Sequence, residues 1–165
     1  MTIPGTGGEI SGIHYRNFKI HEPLWWGIYI GPQQMKNPDG AGPGCMLYPL
    51  QPCDTEPLIS MYDITLKDIT QKNTLLLPGI IRCDKTNPCT GFDWDNVTSD
   101  GWWNFKFSPL GYISENINGK LSNVSPNPGF GSPDANFDHM MSELFNHFAE
   151  KLMELVVEQI NLPFF

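Results

Sequence analysis

A short phrase recurs along the chain and constrains its fold more than any bulk property does. It reads Ile13-His14-Tyr15-Arg16-Asn17-Phe18, then Ile64-Thr65-Leu66-Lys67-Asp68-Ile69, then Phe92-Asp93-Trp94-Asp95-Asn96-Val97. Each copy alternates apolar and polar residues, reaches an Asn or Asp, and resumes with an apolar residue. The alternation gives one buried strand face. The Asn or Asp marks a tight turn, because its short polar side chain hydrogen-bonds nearby backbone. A degenerate fourth copy is expected at Ile113-Ser114-Glu115-Asn116-Ile117.

A second apolar strand is expected after each phrase, at Trp26–Ile30, Pro78–Cys83 and Trp102–Phe107. Strand, turn and strand thus recur as a unit. The first spacing, Ile13 to Ile64, holds a Gly/Pro-rich insertion at 31–57. A solenoid permits variable loops projecting from a constant strand core. The expected fold is therefore mostly β: a right-handed parallel β-helix of about three to four coils over 1–130. Asn17, Asp68 and Asn96 would stack as a structural ladder at one corner. The same short strands and turns also suit an antiparallel β-sandwich. Equivalent turn residues at equivalent places favour the solenoid.

Composition agrees with many turns. Gly 16 and Pro 15 in 165 residues argue against a helical bundle. The tail, 131–165, differs. Ser132-Pro133-Asp134 is a helix-start signal. Phe137, Met140, Met141, Leu144, Phe148, Leu152, Leu155, Val156 and Ile160 then follow at mostly three- and four-residue steps. An amphipathic helix ending before Pro163 is expected, capping the coils or binding a partner or a second copy.

Charge narrows the partners. Ten Lys and Arg against 18 Asp and Glu give −8. Phosphate contact needs a basic surface, so no nucleic-acid partner is expected. Anionic membranes are disfavoured too, and no stretch reaches the 18 apolar residues of a spanning helix.

Cys45, Cys53, Cys83 and Cys89 fall in two close pairs inside loop sequence. Each pair reads as a local disulfide, adding roughly 2 to 3 kcal/mol in the chain-entropy model. Four reduced thiols are the cytosolic alternative. A four-thiolate zinc site fits poorly, since neither pair has the usual tight spacing. Neither metal nor cofactor is expected. Asn96-Val97-Thr98 and Asn123-Val124-Ser125 are glycosylation sequons, Pro126 working against the second. Residues 1–12 lack the basic and apolar regions of a secretory signal. Secretory character without a signal is resolved if an upstream part is missing from this chain; a leaderless cytosolic protein is the alternative.

Ile10-Ser11-Gly12-Ile13-His14-Tyr15-Arg16-Asn17-Phe18-Lys19-Ile20, Ile64–Ile69 and Phe92–Val97 resemble the coils of right-handed parallel β-helix proteins. The chain is most similar to the pectin-lyase-like superfamily, and within it to the C-terminal coils of polygalacturonase-type glycoside hydrolases, over about residues 9 to 125. The resemblance implies an extracellular polysaccharide-active protein. In that family one acid protonates the leaving oxygen while others activate water. Those acids lie in an Asn-Thr-Asp segment and an Asp-Asp pair, and Gly-His-Gly and Arg-x-Lys segments complete the site. Here Asn73-Thr74 is followed by Leu75, and there is no Asp-Asp pair. His14, His21, His139 and His147 lack glycine on both sides, and Arg16 and Lys19 are wrongly spaced. No catalytic residue is carried over. Whether a chain of this kind is an enzyme is left open. The expected role is the C-terminal portion of such a protein, without catalysis of its own.

Other surface chemistry remains. Trp25-Trp26 and Trp102-Trp103 open second strands, where alternation sends one ring outward, beside Tyr29 and Arg82. These six residues are the candidates for stacking on or bonding to a sugar, as in a carbohydrate-binding module; plain packing is the other reading. Arg82 and Lys106 would suit a uronate carboxylate. Asp93 and Asp95 straddle Trp94 and are expected to be solvated. A structural or oligomerising domain acting through the tail helix is the third possibility.

Overall fold

The computed structural model describes residues 7–24, 26–31, 48, 53–75, 77–101 and 111–131. Most of these are strand, and none is helix. In chain order the strands are β1 (Gly8–His21), β2 (Trp26–Ile30), β3 (Ile59–Thr74), β4 (Leu77–Arg82), β5 (Cys89–Gly101), β6 (Ile113–Glu115) and β7 (Ile117–Ser125). They form two sheets, β1-β3-β5-β7 and β2-β4-β6, and every pairing is parallel. The tail, 132–165, lies outside the described residues, and so does the helix expected there.

The long strands bend at single residues with positive φ. These are Gly12 and Asn17 in β1, Asp63, Asp68 and Asn73 in β3, Gly91 and Asn96 in β5, and Asn123 in β7. The register runs Arg16 to Lys67 and then Phe18 to Ile69, stepping over Asn17 and Asp68. A left-handed residue costs an ordinary side chain about 1–2 kcal/mol, and Asn or Asp less. The bend also resets the alternation. Ile64 and Leu66 face inward before it, and Ile69 and Gln71 after it. All four are buried. An unbroken strand would send Ile69 outward.

Inward residues therefore stack in columns. Ile13, Ile64, Phe92 and Gly119 form one, and Tyr15, Leu66, Trp94 and Leu121 form the next. Ile28 and Ile81 of the smaller sheet join the same core as Ile64, Leu66, Phe92 and Trp94. Trp94 is fully buried, its ring edge-on to Tyr112 at 5.4 Å and to Phe130 at 5.1 Å. Burying side chains of this size contributes about 1.5–3 kcal/mol each.

Two expectations need correction. Ile113–Ile117 is not a fourth copy of the phrase. Ile113–Glu115 lies in the smaller sheet beside Ile80–Arg82. The fourth place belongs to β7, whose Gly119 pairs with Phe92. Asn116 caused the confusion: it too has positive φ, but it turns the chain between the sheets, and its Nδ2 donates to the Cys83 carbonyl at 2.9 Å. Nor does the described part of the insertion project from the core. Tyr48 and Glu56 are buried, and Thr55 Oγ1 donates to Asp84 Oδ2 at 2.8 Å. The strand expected at Trp102–Phe107 lies outside the described residues.

Candidate functional site

Alternation leaves one face of the four-stranded sheet polar. His14, Thr65, Asp93 and Lys120 stand in one row, and Arg16, Lys67, Asp95 and Ser122 in the next. Beyond the bend, Lys19, Thr70, Thr98 and Ser125 form a third row, rich in hydroxyls. Parallel strands lie about 4.8 Å apart, so each row offers a polar group at every such step. Lys67 Nζ bridges to Asp95 at 2.8 Å, and Lys72 Nζ to Asp100 at 2.5 Å. The bond to Asp95 holds the Lys67 ammonium above its ordinary pKa. At the bend, Asn96 Nδ2 donates to Asp68 Oδ1 at 2.7 Å, and Asn123 Nδ2 donates to Asn96 Oδ1 at 2.9 Å. Asn17 occupies the same corner of β1. The two sequon asparagines thus use their amide nitrogens in one ladder.

Of the expected sugar-contact residues, Trp26, Tyr29 and Arg82 are described, and none of the three is fully exposed. Trp26 stacks on Tyr29 with ring centroids 5.2 Å apart, and both are half-buried. Burial raises the Tyr29 hydroxyl pKa, and Arg82 opposes the rise. Arg82 is corrected as a candidate for sugar or uronate contact. It is 8% exposed. Its Nε donates to Glu115 Oε2 at 2.7 Å, one terminal nitrogen donates to the Cys53 carbonyl at 2.9 Å, and its guanidinium lies 3.9 Å from the Tyr48 ring centre. Tyr48 also donates to Glu115 Oε1 at 2.9 Å, and burial is the main cause raising its hydroxyl pKa. This cluster ties the insertion to the outer side of β4. Arg82 looked exposed because alternation cannot show that residues from the insertion return over it. Trp25, Trp102, Trp103, Lys106 and Cys45 lie outside the described residues.

Cys83 and Cys89 form a disulfide, with Cα atoms 5.7 Å apart. No described cysteine is free, Cys53 included. Disulfides persist in oxidising compartments, and this one is compatible with an extracellular protein.

A third feature escaped the reading of the sequence. A cleft of about 280 Å3 opens between the sheets beside β1, lined by Tyr15, Phe18, Ile28, Ile30, Leu66 and Ile69. Tyr15 and Phe18 face inward, yet they are 47% and 49% exposed; Leu66 and Ile69, next in their columns, are each 3% exposed. Apolar alternation reports which way a residue faces and not whether a neighbour covers it. Among the described residues, no group of three or more His, Cys, Asp or Glu could hold a metal ion. Asp93 is exposed and Asp95 ion-paired, so the rows are equipped for contact, with no carboxylate shielded from water. No protein-family model matches the chain, and neither does any curated protein or solved structure.

Proposed function

We propose that this chain is a right-handed parallel β-helix module of a secreted polysaccharide-active protein. It holds an extended glycan on the polar face of the four-stranded sheet and adds no catalysis of its own. The alternation of the chain between two wholly parallel sheets supports the β-helix reading. Four strands in one sheet and three in the other correspond to three coils and the start of a fourth.

One observation carries the function: the polar rows run in register across β1, β3, β5 and β7. A polymer laid across the strands meets a donor or acceptor at each step, and hydroxyls such as Thr70 and Thr98 both donate and accept. Each such bond contributes about 0.5–1.5 kcal/mol. Titration calorimetry with uronate and neutral hexasaccharides tests the proposal. At least one glycan is expected to bind, and a Thr70→Ala/Thr98→Ala variant is expected to bind it about tenfold more weakly, for two lost bonds. No reducing ends should be released. Absence of binding to every glycan, or an unchanged affinity in the double variant, would overturn the proposal.

A further inference from the structure

We propose that the free edge of β1 docks an extended segment of another protein, with acidic and apolar residues in alternation, which joins the sheet as a fifth strand. The inference stands apart from the glycan reading. Three features of β1 carry it.

The first is the backbone. β1 runs for 14 residues and pairs with β3 alone among the described strands. Its other edge presents a row of backbone donors and acceptors, the usual template for strand addition. The second is the inward side. Tyr15 and Phe18 are half-exposed over a cleft of about 280 Å3, where one further strand would bring them the cover that β1 gives Leu66 and Ile69.

The third feature is charge, and it identifies the occupant. Along the outward rows the cations of β3 are answered by carboxylates of β5: Lys67 by Asp95 and Lys72 by Asp100. β1 carries Arg16 and Lys19 outward between His14 and His21, and neither cation has an ion pair among the described residues. Arg16 instead stands beside Lys67, where two like charges face each other; the Asp95 bond raises the Lys67 pKa and the Arg16 charge slightly opposes that rise. Asp63 and Asp68 of β3 stand opposite Gly12 and Asn17, and neither is ion-paired to Arg16 or Lys19. Glu9 accepts hydrogen bonds from Tyr62 and Ser11, and Glu22 follows the strand. A chain of net charge −8 thus gathers unanswered cations at its free edge. A strand with carboxylates beside Arg16 and Lys19, and apolar side chains beside Tyr15 and Phe18, would extend both sets of rows.

A second copy fits less well. Its β7 edge, the other edge of the sheet among the described strands, set with Asn123 beside Asn17, would bring Lys120 to His14 and Ser122 to Arg16, with no carboxylate. A second β1 would bring further cations.

The test uses the full chain and two fluorescent ten-residue peptides. Both alternate Ile with a charged residue, Glu in one and Lys in the other, and binding is read by polarisation. The Glu peptide is expected to bind at least tenfold more tightly. An Arg16→Glu/Lys19→Glu variant is expected to reverse the preference, so binding of the Lys peptide also shows that the variant folds. Weak binding of both peptides, equal binding, or a preference that survives charge reversal would overturn the proposal. Concentration-dependent dimers in sedimentation, abolished by the same substitutions, would assign the edge to a second copy and also overturn it. Failure of the glycan titration leaves these outcomes unaffected.

Discussion

The two ends of the core differ in how they stop. At the β7 end, Gly119 stands where the column above it holds Phe92 and Ile64, and Phe130 lies edge-on to Phe92 at 5.9 Å and to Trp94 at 5.1 Å. The Gly131 N–H donates to the Ile117 carbonyl at 2.8 Å and holds this turn in place. At the β1 end the inward residues are large, and Tyr15 and Phe18 stay half-exposed. A parallel stack does not close itself: each strand covers the previous one, so one end needs a plug and the other needs a neighbour. The same inward pattern therefore ends under Phe130 at one end and on the half-exposed rings of Tyr15 and Phe18 at the other.

The largest expected effect comes from removing the plug. Phe130→Ala should destabilise by about 3 kcal/mol, near the low end for aromatic truncation because Phe130 is only partly buried. Phe18→Ala, with half the ring already in water, should cost less than about 1 kcal/mol. Urea unfolding of both variants measures the difference, and equal losses would break the contrast between the ends. Gly119→Ala should follow at about 1–3 kcal/mol, the usual range for overpacking. A Cβ there would stand 2.3 Å from the Phe92 carbonyl oxygen, and backbone cannot give way cheaply. A stable Gly119→Ala protein in the same titration would show that β7 does not lie against β5 as described.

The corner ladder separates the ends more gently. Asn96→Ala loses bonds to Asp68 and Asn123 and forces a left-handed alanine. It should cost about 1–2 kcal/mol. Asn96→Gly keeps the conformation open and should cost about half as much. Asn17→Gly, at the open end, should be close to neutral in thermal unfolding. A cost matching that of Asn96→Gly would show Asn17 to be an equal rung of the ladder.

The smallest effect concerns pH. The Thr86 hydroxyl at 2.6 Å and backbone N–H at 2.8 Å, with Thr55, hold the Asp84 carboxyl below its ordinary range against partial burial. A depressed carboxyl stabilises the fold above its unfolded pKa of about 3.9. That contribution fades as pH falls through the lower folded value. Thr86→Val should therefore lower the melting temperature slightly at pH 6, and the gap from wild type should close in acid. A gap that stays constant down to pH 2 would exclude this linkage.

Much of the architecture has local causes in the sequence. Strand content follows from alternation, and the positive φ at Asn17, Asp68 and Asn96 follows from side chains that tolerate it. β7 was hidden because Gly119, which carries no apolar signal, takes the inward place held by Ile64 and Phe92 in the neighbouring strands, while Asn116 imitates a corner that belongs elsewhere. β4 is buried on both faces, and Arg82 itself is covered by Tyr48 and Cys53 from the insertion, which strand alternation does not show. Tyr15 and Phe18 were legible as inward residues. Their exposure depends on β1 being the edge of the sheet among the described strands, which no local pattern encodes. The outward rows depend on register, and register emerges only when strands far apart in sequence align.

Amide hydrogen exchange along β1 and β5, followed by NMR, tests the contrast between the ends most directly. β5 lies between β3 and β7, so its strand amides should be protected at consecutive positions. β1 has one neighbour among the described strands, so protection should alternate with a period of two from Gly8 to His21, resetting at Gly12 and Asn17. Unbroken protection along β1 in the isolated protein would contradict the open edge, because some other part of the chain would already be paired with it.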